Sequence, residues 1–221
     1  QEVITSLVWS PDGKMIASGS NDHSILLWDL ESGRPLLRLR SHEDSVLSLA
    51  WSPDGEQIGS GSHDRTVRLW NVHNGECQVL LGHTDSVNCV AWSPNGKTLA
   101  SGSGDQTIRL WNMTSRQTPL VLNGHDWVSS LAWSPDSRYL AAGTGGATVD
   151  IWDTVMGKKV AVCEGHTRRI LGVAFNKDGN LLASKSNDGT VRLWEVGNWT
   201  CLVAFEEPGE YLGGIAFHPE W

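Results

Sequence analysis

Tryptophan recurs in this chain at a fixed step, and that step restricts the possible folds more than any other feature. Trp28, Trp70, Trp111, Trp152 and Trp194 follow one another at intervals of 42, 41, 41 and 42 residues. A second aromatic series, Trp9, Trp51, Trp92, Trp133, Phe175 and Phe217, keeps the same beat. Self-similarity near 40 residues means a row of small units, each unable to bury its own apolar surface, that must stack on its neighbours. Of the twelve tryptophans only Trp127, Trp199 and Trp221 stand outside the two repeating slots.

The unit between residues 82 and 122 gives the secondary structure. Gly82-His83 opens it, and an apolar run follows from Val87 to Trp92. Ser93-Pro94-Asn95-Gly96 is a turn, because proline pre-sets φ while asparagine and glycine tolerate positive φ. Thr98 to Ser103 reads as a second strand, Gly104-Asp105-Gln106 as a tight turn, and Thr107 to Trp111 as a third strand rich in β-branched and aromatic residues. A fourth strand runs from Pro119 to Leu122, and Gly124-His125 begins the next unit. No stretch of helical period intervenes. The fold class is therefore all-β. Four-stranded antiparallel sheets of equal size that twist and stack arrange themselves radially, as a β-propeller.

At this point the chain resembles the WD-repeat propellers, along its whole length. The resemblance rests on the histidine at the lead-in turn, "SPDG" after the inner strand, "SGSxD" before the third strand, and a closing Trp-Asp or Trp-Asn. It implies a hydrogen-bonded set of His, Ser, Asp and Trp in each blade: His42, Ser60, Asp64, Trp70; His83, Ser101, Asp105, Trp111; and His166, Ser184, Asp188, Trp194. Ser18, Asp22 and Trp28 supply a first set without its histidine. One copy per repeat at fixed offset marks these groups as scaffold; neither a catalytic residue nor a metal ligand is expected among them. In the fourth repeat Ala142 and Gly146 replace the serine and aspartate, while His125 and Trp152 remain, and Asp150 stands where other repeats carry Arg68, Arg109 and Arg192. Drift in a redundant scaffold and specialisation of that blade both fit.

The predicted blades span about 1–42, 43–83, 84–125, 126–166 and 167–207. A partial sixth, 208–221, contributes one extra inner strand from Tyr211 to Phe217, with Pro208 where the next histidine belongs. The expectation is five complete blades plus that strand, forming part of a seven-bladed ring. An open arc exposes apolar blade faces, which further residues or other chains would have to cover.

The remaining composition excludes classes of function. A net charge of −8 argues against general affinity for nucleic acid or anionic membranes. Cys77, Cys89, Cys163 and Cys201 lie in separate repeats with no zinc spacing, as expected of a reduced, cytoplasmic protein. No cofactor motif is present, since the glycines of "GTGGAT" lack the strand–loop–helix context of a phosphate loop. The inner strands "VLSLAW", "VNCVAW", "VSSLAW" and "ILGVAF" carry no charge, which disfavours catalysis or small-molecule binding in the channel.

Function should then sit where side chains refuse to repeat. The slot just before each inner strand holds Val3, Ser45, Ser86, Trp127, Arg169 and Tyr211. Trp127, Arg169 and Tyr211, with Arg168 beside them and His63 and Asn187 from neighbouring turns, are the predicted partner-binding residues. Trp, Arg and Tyr join large contact area to polar tips. The expected function is a non-catalytic protein-interaction scaffold or sensing domain. Its partner would be a protein or peptide, acidic or phosphorylated. Structural assembly with other chains is the alternative. Trp199, on the opposite face, is a weaker candidate for a second contact.

Overall fold

The computed structural model describes residues 2–115, 117–206 and 213–218. Twenty strands form five four-stranded antiparallel sheets, with no helix among the described residues. The first blade is β1 (Ile4–Trp9), β2 (Met15–Ser20), β3 (Ser24–Asp29) and β4 (Pro35–Arg40). The second is β5 (Val46–Trp51), β6 (Gln57–Ser62), β7 (Val67–Asn71) and β8 (Cys77–Leu80). The third is β9 (Val87–Trp92), β10 (Thr98–Ser103), β11 (Thr107–Asn112) and β12 (Leu120–Asn123). The fourth is β13 (Val128–Trp133), β14 (Tyr139–Thr144), β15 (Val149–Asp153) and β16 (Lys158–Cys163). The fifth is β17 (Ile170–Phe175), β18 (Leu181–Ser186), β19 (Thr190–Glu195) and β20 (Cys201–Glu206). Within each sheet the strands lie in sequence order, and the first strands β1, β5, β9, β13 and β17 neighbour one another in turn.

The "SPDG" turns explain themselves locally. Ser10 Oγ accepts from Met15 N at 2.9 Å and donates to Asp12 Oδ1 at 2.7 Å, while Gly13 takes φ +71°. Ser52, Ser93 and Ser134 repeat the arrangement with Gln57, Thr98 and Tyr139. The side chain closes the loop that the glycine allows to turn.

The core is not one mass but four slabs, one per blade junction. Between the third and fourth blades, for example, Ile108, Leu110 and Leu122 meet Val128, Leu140 and Trp152. Each junction closes on a glycine. A Cβ on Gly19, Gly61, Gly102 or Gly143 would lie 2.9, 2.7, 2.4 or 2.6 Å from Val46, Val87, Val128 or Ile170, the first inner-strand residue of the next blade. In the fifth blade the same register position is Lys185, paired with Gly172 and buried.

The arc has two open ends. Trp51 and Trp133 are 8% and 9% exposed because each packs on the blade before it, but Trp9, in the same register, is 59% exposed. On the outgoing side Leu122 and Cys163 are buried, whereas the equivalent Phe205 is 51% exposed. The expected sixth inner strand begins at Tyr211, outside the described residues, and residues 213–218 form no strand. They do lie against the fifth blade, with Ile215 N 3.2 Å from where a Cβ on Gly172 would stand. A ladder needs a second strand, and none among the described residues pairs with this segment. The five complete blades match the sequence reading; a seven-bladed ring lies beyond what the sheets establish.

Candidate functional site: the lead-in rim of the blades

Three blades carry a complete relay from indole to carboxylate. In the third, Trp111 Nε1 donates to Ser101 Oγ at 2.9 Å, Ser101 Oγ contacts His83 Nε2 at 2.8 Å, and His83 Nδ1 contacts Asp105 Oδ2 at 2.8 Å. The second blade repeats this through Trp70, Ser60, His42 and Asp64, and the fifth through Trp194, Ser184, His166 and Asp188. With indole and hydroxyl as donors, the imidazole accepts at Nε2 and donates from Nδ1 to the carboxylate, which assigns a neutral tautomer. Burial holds the three imidazoles below the usual histidine value, against the pull of their aspartates. Burial also works to raise the aspartates. Donors from Thr107, the Thr84 backbone and His83 overcome it and bring Asp105 down to about 2. Asp64 and Asp188 are lowered in the same way. In the first blade Trp28 Nε1 reaches Ser18 Oγ at 3.0 Å, and Asp22 takes the hydroxyl of Ser24 instead of an imidazole.

The fourth blade has lost this relay altogether. His125 is exposed, and Trp152 Nε1 is buried with no partner among the described residues. The reason is in the spacing. Three steps separate His125 from Val128, where four separate His83 from Val87, so the shortened loop withdraws the imidazole from its slot. The conserved-looking His125 of the sequence reading is thus no tetrad member. Nearby, Asp150 is buried and its carboxylate receives Lys159 Nζ at 2.8 Å.

The lead-in slot occupies the same place on every blade. The carbonyls of Val3, Ser45, Ser86, Trp127 and Arg169 accept from the amides of Asn21, His63, Gly104, Gly145 and Asn187, all at 2.9 to 3.0 Å. Since β13 and β17 are neighbours, Trp127 and Arg169 stand on adjacent blades. The Trp127 indole lies on its own blade, over Gly145; a Cβ there would come within 2.0 Å of Nε1. It is half-buried, as is Arg169, whose Nε has no partner among the described residues. Arg168 and Asn187 are exposed beside it. His63 lies on the second blade, where its Nδ1 meets Ser86 Oγ of the third at 2.8 Å, so it is away from the tryptophan–arginine pair. Tyr211 falls outside the described residues. Trp199 does not project as a contact: its ring packs edge-on between Tyr139 and Phe175, at 5.5 and 6.4 Å.

One feature of the rim escaped the sequence reading. The residue before the slot is Asp44, Asp85 and Asp126 on the second, third and fourth blades, each capping the following amide at 2.6 to 2.7 Å. On the fifth blade it is Arg168. The signal was available, as a fixed offset of one from a slot already singled out. The rim is consequently acidic over three blades and basic on the fifth. Among the described residues no group of three or more His, Cys, Asp or Glu side chains is placed to hold a metal. No helix among them is long and apolar enough to cross a membrane.

Repeat geometry of this kind, four-stranded blades pinned by a Trp-Ser-His-Asp relay, defines a WD-repeat β-propeller, and this chain belongs to that family. The family description "IFT122 first beta-propeller" matches residues 3–154, and "WD domain, G-beta repeat" matches residues 157–195. Over 38 residues, 17% of this chain, it is 58% identical to Echinoderm microtubule-associated protein-like 4 of Mus musculus. It is 40% identical over 60 residues to Serine-threonine kinase receptor-associated protein of Homo sapiens, covering 24% of this chain. It is 31% identical over 59 residues to Pre-mRNA-processing factor 19 of Mus musculus, covering 27% of this chain. The matched stretches span 4%, 17% and 12% of those relatives' own lengths. Propellers of this family are generally non-catalytic and generally serve as protein-interaction scaffolds.

Proposed function

We propose that this chain is a scaffold that holds a partner segment on the lead-in rim at the fourth and fifth blades. The carrying observation is the change from Asp44, Asp85 and Asp126 to Arg168 at one repeating position, next to Arg169 and Trp127. A carboxylate or phosphate on the partner pairs with the two guanidiniums, and an apolar side chain covers the half-buried indole. The acidic arc repels the same group elsewhere, which fixes orientation. Tyr211, His63 and Asn187 extend the surface around this centre. No chemical step is assigned, since the inner strands present no titratable side chain to the channel. The four free cysteines suit a reducing, cytoplasmic setting.

The test is titration with fluorescein-labelled acidic peptides, each with and without a central phosphoserine. Trp127→Ala and Arg169→Ala should each abolish capture while thermal stability stays nearly intact. Retained capture in both variants refutes the assignment.

A second reading, assembly with other chains, is favoured by the exposure of Trp9 and Phe205 at the two ends. Light scattering tests it. A mass near 24.1 kDa supports the single-chain scaffold, and a defined multiple supports assembly.

A further inference from the structure

A groove of about 770 Å³ runs down the outside of the arc between the second and third blades. Its walls include Gln78, Val79 and Leu81 from the second blade and Met113, Ser115 and Gln117 from the third. No residue lining it is charged, in a chain where charged residues make up 19%. One wall is a bare sheet edge. β8 is the outermost strand of its blade and pairs only with β7, so its outward amides and carbonyls have no ladder partner.

Exposed edges normally carry charge that discourages pairing. Here β4 has Arg38 and Arg40, β16 has Lys158 and Lys159, and β20 ends on Glu206. β8 reads Cys-Gln-Val-Leu and β12 reads Leu-Val-Leu-Asn, with no charge in either. These two unguarded edges are also the shortest outer strands, four residues against six, and they flank the groove. Val79 and Leu81 are 42% and 71% exposed. Ser115 Oγ is buried at the groove with no partner among the described residues.

We infer that this groove receives an extended, uncharged segment of a partner protein, which adds to the second blade as a fifth strand along β8. Backbone hydrogen bonds to the edge supply affinity, and alternate side chains of the segment meet Val79 and Leu81. The neutral lining selects against Lys, Arg, Asp and Glu at those positions, because a charge placed there has no counter-ion. The site is separate from the lead-in rim and does not depend on it.

The probe is acetyl-Thr-Val-Thr-Val-Ser-Val-Thr-amide, titrated into the ¹⁵N-labelled chain. Saturable shifts at the amides of Gln78–Leu81 and Met113–Ser115 are expected. Val79→Lys gives β8 the guard the other edges have and should weaken binding by about tenfold or more. Leu36→Lys, an equally exposed change on β4, should leave it unaltered and controls for folding. A peptide with lysine in place of its central valine should also bind at least about tenfold more weakly. Absence of shifts at about 1 mM peptide, the weak end of specific recognition, overturns the inference. So does equal binding by the Val79→Lys variant. Self-association that Val79→Lys abolishes would assign the edge to a second copy of this chain and would equally overturn it.

Discussion

Changing Ser101 to alanine deletes one hydroxyl and strands two polar groups. Ser101 is fully buried, so water cannot replace what is lost. Trp111 Nε1, now 2.9 Å from its acceptor, and His83 Nε2, 2.8 Å from the same oxygen, would both be left without a partner. Each buried polar group left unsatisfied costs about 1–3 kcal/mol, and removing the hydroxyl itself returns about 1 kcal/mol of burial cost. The net loss is about 3 kcal/mol, which for a chain of this size lowers Tm by about 6–12 °C. The fourth blade provides the mirror experiment. There Ala142 already stands at the serine position and Trp152 Nε1 already lacks an acceptor. Ala142→Ser restores one of the missing contacts and should stabilise by about 1 kcal/mol. Thermal unfolding by far-ultraviolet circular dichroism gives the shift. Hydrogen exchange localises it, with faster exchange confined to β10, β11 and their neighbours. A Tm loss below about 2 °C for Ser101→Ala would show that the relay contributes little net stability, and a loss for Ala142→Ser would refute the pairing argument outright.

Three further outcomes follow from the same geometry. Gly102→Ala places a methyl 2.4 Å from Val128 Cγ1 and should cost about 1–3 kcal/mol, with Val128→Ala in the same chain recovering part of it; a double-mutant cycle in urea with zero coupling contradicts the close-approach account. The relay histidines sit below their unfolded value, so the folded state binds fewer protons than the unfolded one and stability falls as pH drops below about 6.5. The lowered aspartates add a second loss below about pH 4, continuing to about pH 2 for Asp105; a Tm that is level or rising between pH 7 and pH 5 is the contrary result. Trp51→Ala should cost about 3–5 kcal/mol and Trp9→Ala under about 1 kcal/mol, since only the first is buried against a neighbouring blade; equal losses in calorimetry would mean that something covers Trp9 in solution.

The repeat period made the blades legible because each strand is bounded by its own turn chemistry. The serine, aspartate and glycine of the "SPDG" turns fix strand ends locally, with no help from distant residues. The tetrads were legible for a related reason, that a fixed offset in sequence becomes a fixed contact in space. His125 misled because residue identity survives a one-residue deletion while reach does not. Trp127 was correctly placed on the rim, but only the three-dimensional contact with Gly145 shows that its indole lies flat on its own blade. The neutral groove beside β8 was invisible in the sequence. It arises from two short outer strands, 40 residues apart, whose lack of charge matters only because they are adjacent edges.

Arrays of this kind grow when one unit is copied in frame beside another, and the junction glycines govern where a copy can land. After any of the first four blades, a duplicate of the second, third or fourth would find Gly19, Gly61, Gly102 or Gly143 ready to admit its leading valine. After the fifth it would meet the aliphatic stem of Lys185. A single side chain thereby makes the four upstream positions interchangeable and the fifth not, so the order of modules is written into the chain and cannot be freely shuffled.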